Sequence, residues 1–441
     1  MQPVVAPGTL AAPSFPFSEA ALATAQKKLE YNLDVGAQQQ GAHEGVVVAA
    51  LSKQSPNYWY HWQRDAAIAM RSHAAPKDGM RRYLKYLGWV RDAQFADQEG
   101  GNDVRGEPKF ELDGSVYTGP WGRPQNDGAA LRALTLIDLA NELLASGNTS
   151  LVSELYAGGL DYQQMGSIKR DLEYVSHAWV LECFDAWEEV SGTSFFTRTV
   201  QRAALDAGAA LATQLGDPGA ADWYAQQRDA IGNALGQHWN AGTGVIMGSL
   251  PGHGGPQKYN ELDCSVALAA IHGAGPNVGL SGSDWAPTDS RVLSTMEAFT
   301  AYFADVFAIN QNDTAAGVPG VLLGRYPGDT YSGHDSSGGN PWILCTCAVA
   351  EVYYRAASGG AAGAANLLQK GDGIMTRLRG HLGSDDNISL SEQIQRNSGE
   401  LTSANDLTWS YAALVTAAKA REAAARAVLG KFSQKTDSAQ S

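Results

Sequence analysis

The seven residues Phe184-Asp185-Ala186-Trp187-Glu188-Glu189-Val190 bring three carboxylates and an indole together. They close an apolar run with helical spacing over 170–189. Ser191-Gly192-Thr193 then separates them from a second run opening with Ser194-Phe195-Phe196. A carboxyl group at the junction of a helix and a loop, beside a tryptophan, has the surroundings that keep a general acid protonated. Cleaving a sugar–sugar link takes a second carboxylate on the far side of the ring, and walls that hold hydroxyl groups. The chain therefore has to be searched for both.

Glu392, in Leu390-Ser391-Glu392-Gln393, supplies a second carboxylate on a loop ahead of the last strong helical run. Taken alone, that stretch reads as a solvated loop glutamate, and its value comes from pairing with Glu188. Three stretches offer walls. Tyr58-Trp59-Tyr60-His61-Trp62-Gln63-Arg64-Asp65 packs four aromatics, a histidine and an Arg–Asp pair into eight residues. Aromatic faces stack on the apolar faces of sugars, while guanidinium and carboxylate fix hydroxyls in set geometry. Core aromatics at a helix start, with a structural ion pair, are the equal alternative, and His61 by itself reads as a core or loop histidine. Tyr117 to Gly128 is a polar, aromatic loop in which Trp121 stands among Gly and Pro, and Asp127 there is equally a helix cap. Gly324-Arg325-Tyr326-Pro327-Gly328-Asp329-Thr330-Tyr331 repeats the recipe and leads to Asn340-Pro341-Trp342. A plain surface loop is the alternative there.

The elements that must position these groups are helices. Helical periodicity runs over 18–33, 62–74, 77–96, 124–146, 170–189, 194–215 and 219–239, then 260–272, 290–308, 342–357, 361–381 and 403–428. Alternating strand–helix units are absent, which argues against a doubly wound sheet or a β/α barrel. Roughly a dozen helices without coiled-coil heptads pack as antiparallel hairpins, in an open solenoid or a closed toroid. No fixed-period repeat is visible, which weakens the solenoid. The long loops 97–123 and 309–341 are of a length that usually carries function. Val46-Val47-Val48-Ala49-Ala50 could form an isolated strand. We expect an extended arm over 1–17, one all-α domain over 18–430 and a polar tail over 431–441.

Composition narrows the partners. A net charge of −14, from 46 acidic against 32 basic residues, argues against nucleic acid and anionic membranes and suits a neutral ligand. Met1 to Pro16 lacks the basic and apolar segments of a signal peptide, and no window approaches a membrane span. Four cysteines make no disulfide framework in 441 residues, so Cys183, Cys264, Cys345 and Cys347 are expected as buried thiols. Nucleotide-binding loops, a metalloprotease helix and a nucleophile elbow are absent.

Taken together, the stretches above, with Gly106-Glu107-Pro108-Lys109-Phe110 and Asn405-Asp406-Leu407-Thr408-Trp409-Ser410-Tyr411-Ala412-Ala413-Leu414, resemble the fungal-type glucoamylases of glycoside hydrolase family 15. They fall in that family's order from about residue 55 to 415. The resemblance implies an (α/α)6 barrel and an inverting exo-hydrolase that frees β-D-glucose from non-reducing ends of α-1,4-glucans, without metal or cofactor. It makes Glu188 the general acid and Glu392 the general base. Arg64, Asp65 and Arg325 match residues that grip sugar, and Trp121, Asp185 and Glu189 match residues around the acid and the next subsite. Tyr58 matches an aromatic beside the attacking water, and Trp62, Trp187, Trp342 and Trp409 would line the pocket. Departures are His334-Asp335-Ser336-Ser337 added between Tyr331 and Trp342, and Ile394 where an aromatic is expected. The disulfides of secreted members and a starch-binding module lack counterparts. A related glucosidase preferring α-1,6 links or trehalose is the nearest rival, and a non-catalytic glucan-binding protein on the same barrel is the rival of another class. A monomer is expected, secreted with its leader removed, with cytoplasm or vacuole as the other compartments.

Overall fold

The computed structural model describes residues 15–438 apart from 34, 74–75, 97–102, 158–160, 251–257, 259–260 and 274–283. Most of the expected arm therefore lies outside the described residues. The first helices are α1 (Glu19–Leu33), α2 (Val35–Gln39), α3 (Gln63–His73), α4 (Pro76–Gln94), α5 (Asp127–Ala145), α6 (Thr149–Tyr156), α7 (Ser167–Ala178) and α8 (Phe195–Gln214). After them come α9 (Pro218–Leu235), α10 (Ser265–His272), α11 (Ser290–Ala304), α12 (Ala308–Ala315), α13 (Ile343–Ser358), α14 (Ala364–Gly380) and α15 (Thr408–Ser438).

Their packing closes a circle. Helix α3 lies on α5, α5 on α8, α8 on α10, α10 on α13, α13 on α15, and α15 on α3 again. Outside this ring α1 covers α15 and α3, α4 and α7 cover α5, α9 covers α8, α11 covers α10, and α14 covers α13 and α15. Inner and outer helices alternate along the chain six times, which is an (α/α)6 barrel. The sequences explain the division. In α10, Ser265 through Ile271 are all buried, and in α13 Ile343 through Tyr354 are all buried. Such helices, apolar all round and rich in alanine, can only be inner ones. Helix α1 buries a single stripe of Ala21, Ala25, Leu29 and Leu33, the pattern of a helix with one wet face.

Four two-stranded antiparallel ladders, two residues to a strand, accompany the helices; three are hairpins, and the first joins strands on either side of α3 and α4. They are β1 (His61–Trp62) with β2 (Lys109–Phe110), β3 (Cys183–Phe184) with β4 (Ser191–Gly192), β5 (Trp239–Asn240) with β6 (Val245–Ile246), and β7 (Gln393–Ile394) with β8 (Leu401–Thr402). Strand β1 runs straight into α3, while β4 and β8 end shortly before α8 and α15. The inner helices thus start from the same end, where their unsatisfied N–H groups carry partial positive charge.

Several expectations need correction. The helix expected over 170–189 ends at Ala178, and the last residues of that run form the β3–β4 hairpin. The side chain of Asp185 takes up the backbone N–H groups of Glu189 and Val190, and Asp185 N pairs with Val190 O at 2.9 Å. Short polar side chains that bond the nearby backbone compete with the helix in this way. The run 290–308 breaks after Ala304, and α12 falls inside the stretch expected as loop. Val46 to Ala50 are buried but form no strand: Ala49 N and Ala50 N reach Tyr60 O and Tyr58 O, and Thr408 N donates to Ala49 O. Helix α15 crosses the boundary expected at 430 and continues to Ser438. All four cysteines are free and buried.

Candidate active site

At the end of the ring where the inner helices begin lies a cavity of about 430 Å³. Every residue singled out from the sequence lines it except Asp185. Arg64 and Asp65 are the second and third residues of α3, and Trp409 is the second of α15. Helix starts therefore hold these side chains, and their dipoles offset the carboxylates gathered here.

Glu188 occupies the turn of the β3–β4 hairpin with φ = +65°. That left-handed conformation costs a residue with a side chain roughly 1–2 kcal/mol, so the surroundings must impose it. Asp185 does much of this, because its Oδ1 accepts from Glu189 N at 3.0 Å and Val190 N at 3.2 Å. Its Oδ2 accepts from Lys258 Nζ at 2.7 Å. Burial would raise the Asp185 pKa, but the Lys258 ammonium and the two N–H groups outweigh it and hold the carboxyl below its ordinary range. Lys258 also donates to Asp263 Oδ2 at 2.5 Å, and Asp263 Oδ1 accepts from Trp187 Nε1 at 2.8 Å. Asp185 is thus the anchor behind the turn.

The indole that reaches Glu188 is not its chain neighbour Trp187. Trp62 Nε1 donates to Glu188 Oε1 at 2.8 Å, Gln125 Nε2 donates to the same oxygen at 3.1 Å, and Arg64 Nη1 stands 3.9 Å away. All three contacts fall on Oε1, which leaves Oε2 for a ligand.

Glu392 is held differently. It is 2% exposed. Tyr58 OH donates to Oε1 at 2.6 Å, while Ser403 Oγ at 2.5 Å and Gln393 Nε2 at 2.9 Å donate to Oε2. Burial pushes its pKa up, the three donors and the Arg325 charge pull it back, and the balance stays above the ordinary carboxylate value. Both oxygens are fixed, so this carboxylate can orient one small molecule and take a proton from it.

Between the two stand groups suited to hydroxyls. Arg64 Nη2 donates to Gln125 Oε1 at 2.7 Å and to Asp127 Oδ1 at 3.2 Å, and its Nε donates to Asp127 Oδ2. Asp127 is therefore the partner of Arg64 and not the cap of α5: it is the first residue of that helix, and Asn126 stands at the cap position. The carboxylate of Asp65, nearly buried, hydrogen-bonds no other described residue. Burial, opposed by Arg64 and reinforced by Glu188, Glu392 and Asp127, lifts its pKa to about 7. Arg325 donates through Nη2 to Glu189 Oε1 at 2.8 Å and through Nε to Asp329 Oδ2 at 2.8 Å. Its guanidinium lies 5.1 Å from the rings of both Tyr331 and Trp342. Glu189 accepts from Tyr326 OH through its other oxygen. The rings of Trp187 and Trp342 meet edge to face at 5.7 Å.

Sequence reasoning did not single out Lys109, Lys258, Asp263, Gln125, Tyr331 or Ser403 for a role. Lys109 Nζ sits in a cage of rings, 3.4 Å from Trp121, 4.0 Å from Tyr117, 4.4 Å from Tyr60 and 4.7 Å from Trp62. Burial lowers its pKa to about 8, against the pull of Glu188 and Glu111. The signal for Lys109 was its place in Gly106-Glu107-Pro108-Lys109-Phe110, paired in register with Trp62. Lys258 carried no signal, since its partners Asp185 and Asp263 lie on both sides of it in the chain.

Residues 26–419 match the family described as Glycosyl hydrolases family 15. The chain is 36% identical over 435 residues to a glucoamylase of Blastobotrys adeninivorans, covering 87% of this chain and 68% of that protein. It is 34% identical to glucoamylase-1 of Schizophyllum commune, covering 90% and 72%. The solved structure of a glucoamylase from Saccharomycopsis fibuligera superposes with a TM-score of 0.78 at 25% identity, covering 94% of this chain and 98% of that one. The ring of helices, the cavity at its end and the paired glutamates thus sit in a chain that belongs to glycosyl hydrolase family 15.

Proposed function

We propose that the protein is an exo-acting glucan 1,4-α-glucosidase that frees β-D-glucose from the non-reducing ends of α-1,4-glucans with inversion. One observation carries the reading: two carboxylates from different hairpins face one cavity, the first with an oxygen open to it and the second buried with both oxygens fixed. Glu188 gives its proton to the glycosidic oxygen as the bond from C1 to that oxygen breaks. Glu392 takes a proton from a water whose oxygen bonds to C1 on the opposite face, so an α link yields β-glucose. Arg64, Asp65 and Arg325 hold the terminal sugar, and Trp62, Trp187, Trp342 and Trp409 supply the walls. The glucoamylase relatives support the substrate class. Two intact carboxylates weigh against a protein that only binds glucan.

Proton NMR of maltoheptaose with the pure protein tests this, by following the anomer of glucose in the first minutes. Early β-glucose is expected, and early α-glucose would overturn the inverting assignment. Initial rates on maltose, isomaltose and trehalose should favour maltose; a preference for either of the others would reassign the linkage. The same reading has a monomeric enzyme acting outside the cell. Its mass in solution and its distribution between cells and medium check those two statements.

A further inference from the structure

The segment from Tyr331 to Trp342 packs against the hairpin that carries Glu392. Gly338 N and Gly339 N fold it back onto Thr330 O at 2.9 Å and Asp329 O at 2.8 Å. Asn340 Nδ2 donates to Ser332 O at 3.3 Å and to Gln393 Oε1 at 3.0 Å, and Gln393 Nε2 in turn donates to Glu392 Oε2. Gly333 stands where this loop touches the base's donors, with φ = +91°. A Cβ there would lie 2.4 Å from Ser403 Cβ, 2.5 Å from Ser403 Oγ and 3.3 Å from Gln393 Nε2. Its carbonyl accepts from Tyr331 OH at 3.4 Å, and Tyr331 OH meets Tyr58 OH at 3.3 Å. One glycine therefore borders both hydrogen-bond routes to Glu392, through Ser403 and Gln393 to Oε2 and through Tyr331 and Tyr58 to Oε1.

We infer that Gly333 is a positioning residue for the base: only a residue without a side chain at this point lets Ser403 stand within hydrogen-bond reach of Glu392. The inference rests on Glu392 acting as the base. The loop that makes this chain depart from the family pattern is thus wired to the chemistry, not only to the pocket's outer rim. The titratable and charged groups facing Glu392 are Tyr58, Tyr331, Arg325 and Asp65. None of them is replaced when position 333 is, and the added Cβ collides with Ser403, not with Tyr331, so Ser403→Gly is the comparison that ties a change in the base's titration to Ser403. Ser403 stabilises the ionised carboxylate, and displacing it raises the pKa of Glu392. The acid limb of the kcat profile then moves to higher pH.

The test compares Gly333→Ala, Ser403→Gly, the double variant and Gly338→Ala, each as the full chain. Gly338→Ala is the matched control, because it has φ = +140° in the same loop but a Cβ there would approach only the end of Arg396, at 3.1 Å. Gly333→Ala should lower kcat by about tenfold, the scale of one charge-assisted hydrogen bond, and shift the acid limb up by about one pH unit, with KM within about twofold. Ser403→Gly should give the same profile, and the double variant should add nothing to it, since the colliding Cβ is gone. Gly338→Ala should leave the profile in place. A wild-type acid limb in Gly333→Ala, or losses that multiply in the double variant, would overturn the inference. If Gly333→Ala does not accumulate as folded protein, the double variant decides: folding with the Ser403→Gly profile supports the inference, and failure to fold overturns it. Full activity in Glu392→Gln would instead remove the base assignment itself.

Discussion

The hairpins of Glu188 and Glu392 are built alike and hold their carboxylates in opposite ways. Each has strands of two residues, and each lies just ahead of an inner helix. Glu188 projects from the turn, its side chain 17% exposed, and its hydrogen bonds come from Trp62 and Gln125, more than sixty residues away. Glu392 sits at the hairpin's base, and two of its three donors, Gln393 and Ser403, belong to its own hairpin. On the proposed roles, the difference follows from the work. An acid that protonates a substrate oxygen must reach into the cavity, so distant walls can aim it. A base that fixes one water must itself be fixed, and local donors do that at less entropic cost than distant ones.

The contrast can be broken at several points. The largest effect is expected from Glu188→Gln, which should lower kcat by at least about 10²–10⁴-fold, the range for general acid–base catalysis, with maltose affinity by calorimetry largely kept. Substantial turnover in that variant would remove Glu188 from its role. Trp62→Phe comes next, because it deletes the donor on Glu188 Oε1 and keeps a ring in the wall. A loss of kcat of about tenfold is expected, and unchanged kcat would mean that distant aiming is unimportant. Tyr58→Phe removes a donor from the ionised form of Glu392. The base's pKa should rise, so activity on the acid side falls while the alkaline limb stays put. A shift of the alkaline limb instead would exchange the two glutamates' roles.

The last effect is read in stability, not in rate. Asp65 has a folded pKa of about 7, raised from the usual 3.8, so its penalty is absent at low pH and grows between those values. At pH 8 the penalty is fully present, and it is of the order of 4 kcal/mol. Asp65→Asn should therefore melt a few degrees above the parent at pH 8 and nearly with it at pH 3.5, while losing affinity for maltose. Equal melting at both pH values would mean that Asp65 is solvated.

Much of this site was legible because its residues cluster at helix starts. Arg64 and Asp65 open α3, whose ends the periodicity marked to within a residue, whereas α15 starts five residues later than its periodicity suggested and Trp409 was singled out only by the family resemblance. The circle itself was not legible, since nothing in the residues of α15 says that they meet α3. Nor was the turn at Glu188. Apolar spacing carried the expected helix through 189, and only the side chain of Asp185, bonding the backbone of Glu189 and Val190, turns the chain there. Trp187 was read as the acid's neighbour because it adjoins Glu188 in sequence, whereas adjacent residues in a turn point apart and Trp62 fills the place. Lys258 escaped notice because a lone lysine gains meaning only between two carboxylates that the fold brings together.

The closed circle also sets the order of assembly. Helix α15 is the last inner helix to leave the ribosome, and it fills the gap between α13 and α3. Until it arrives, the nascent chain can carry Glu188, Trp62 and Arg64 but lacks Trp409 on the cavity wall. Glu392 precedes α15 by a single short hairpin, and Ser410 Oγ on that helix donates to Ser391 O beside it at 2.9 Å. The base is thus set in place by the same helix that shuts the ring. Glu188 and Glu392 face one cavity only in the closed circle, and a chain that stops before α15 lacks both the helix that shuts the ring and the serine that holds the residue beside Glu392.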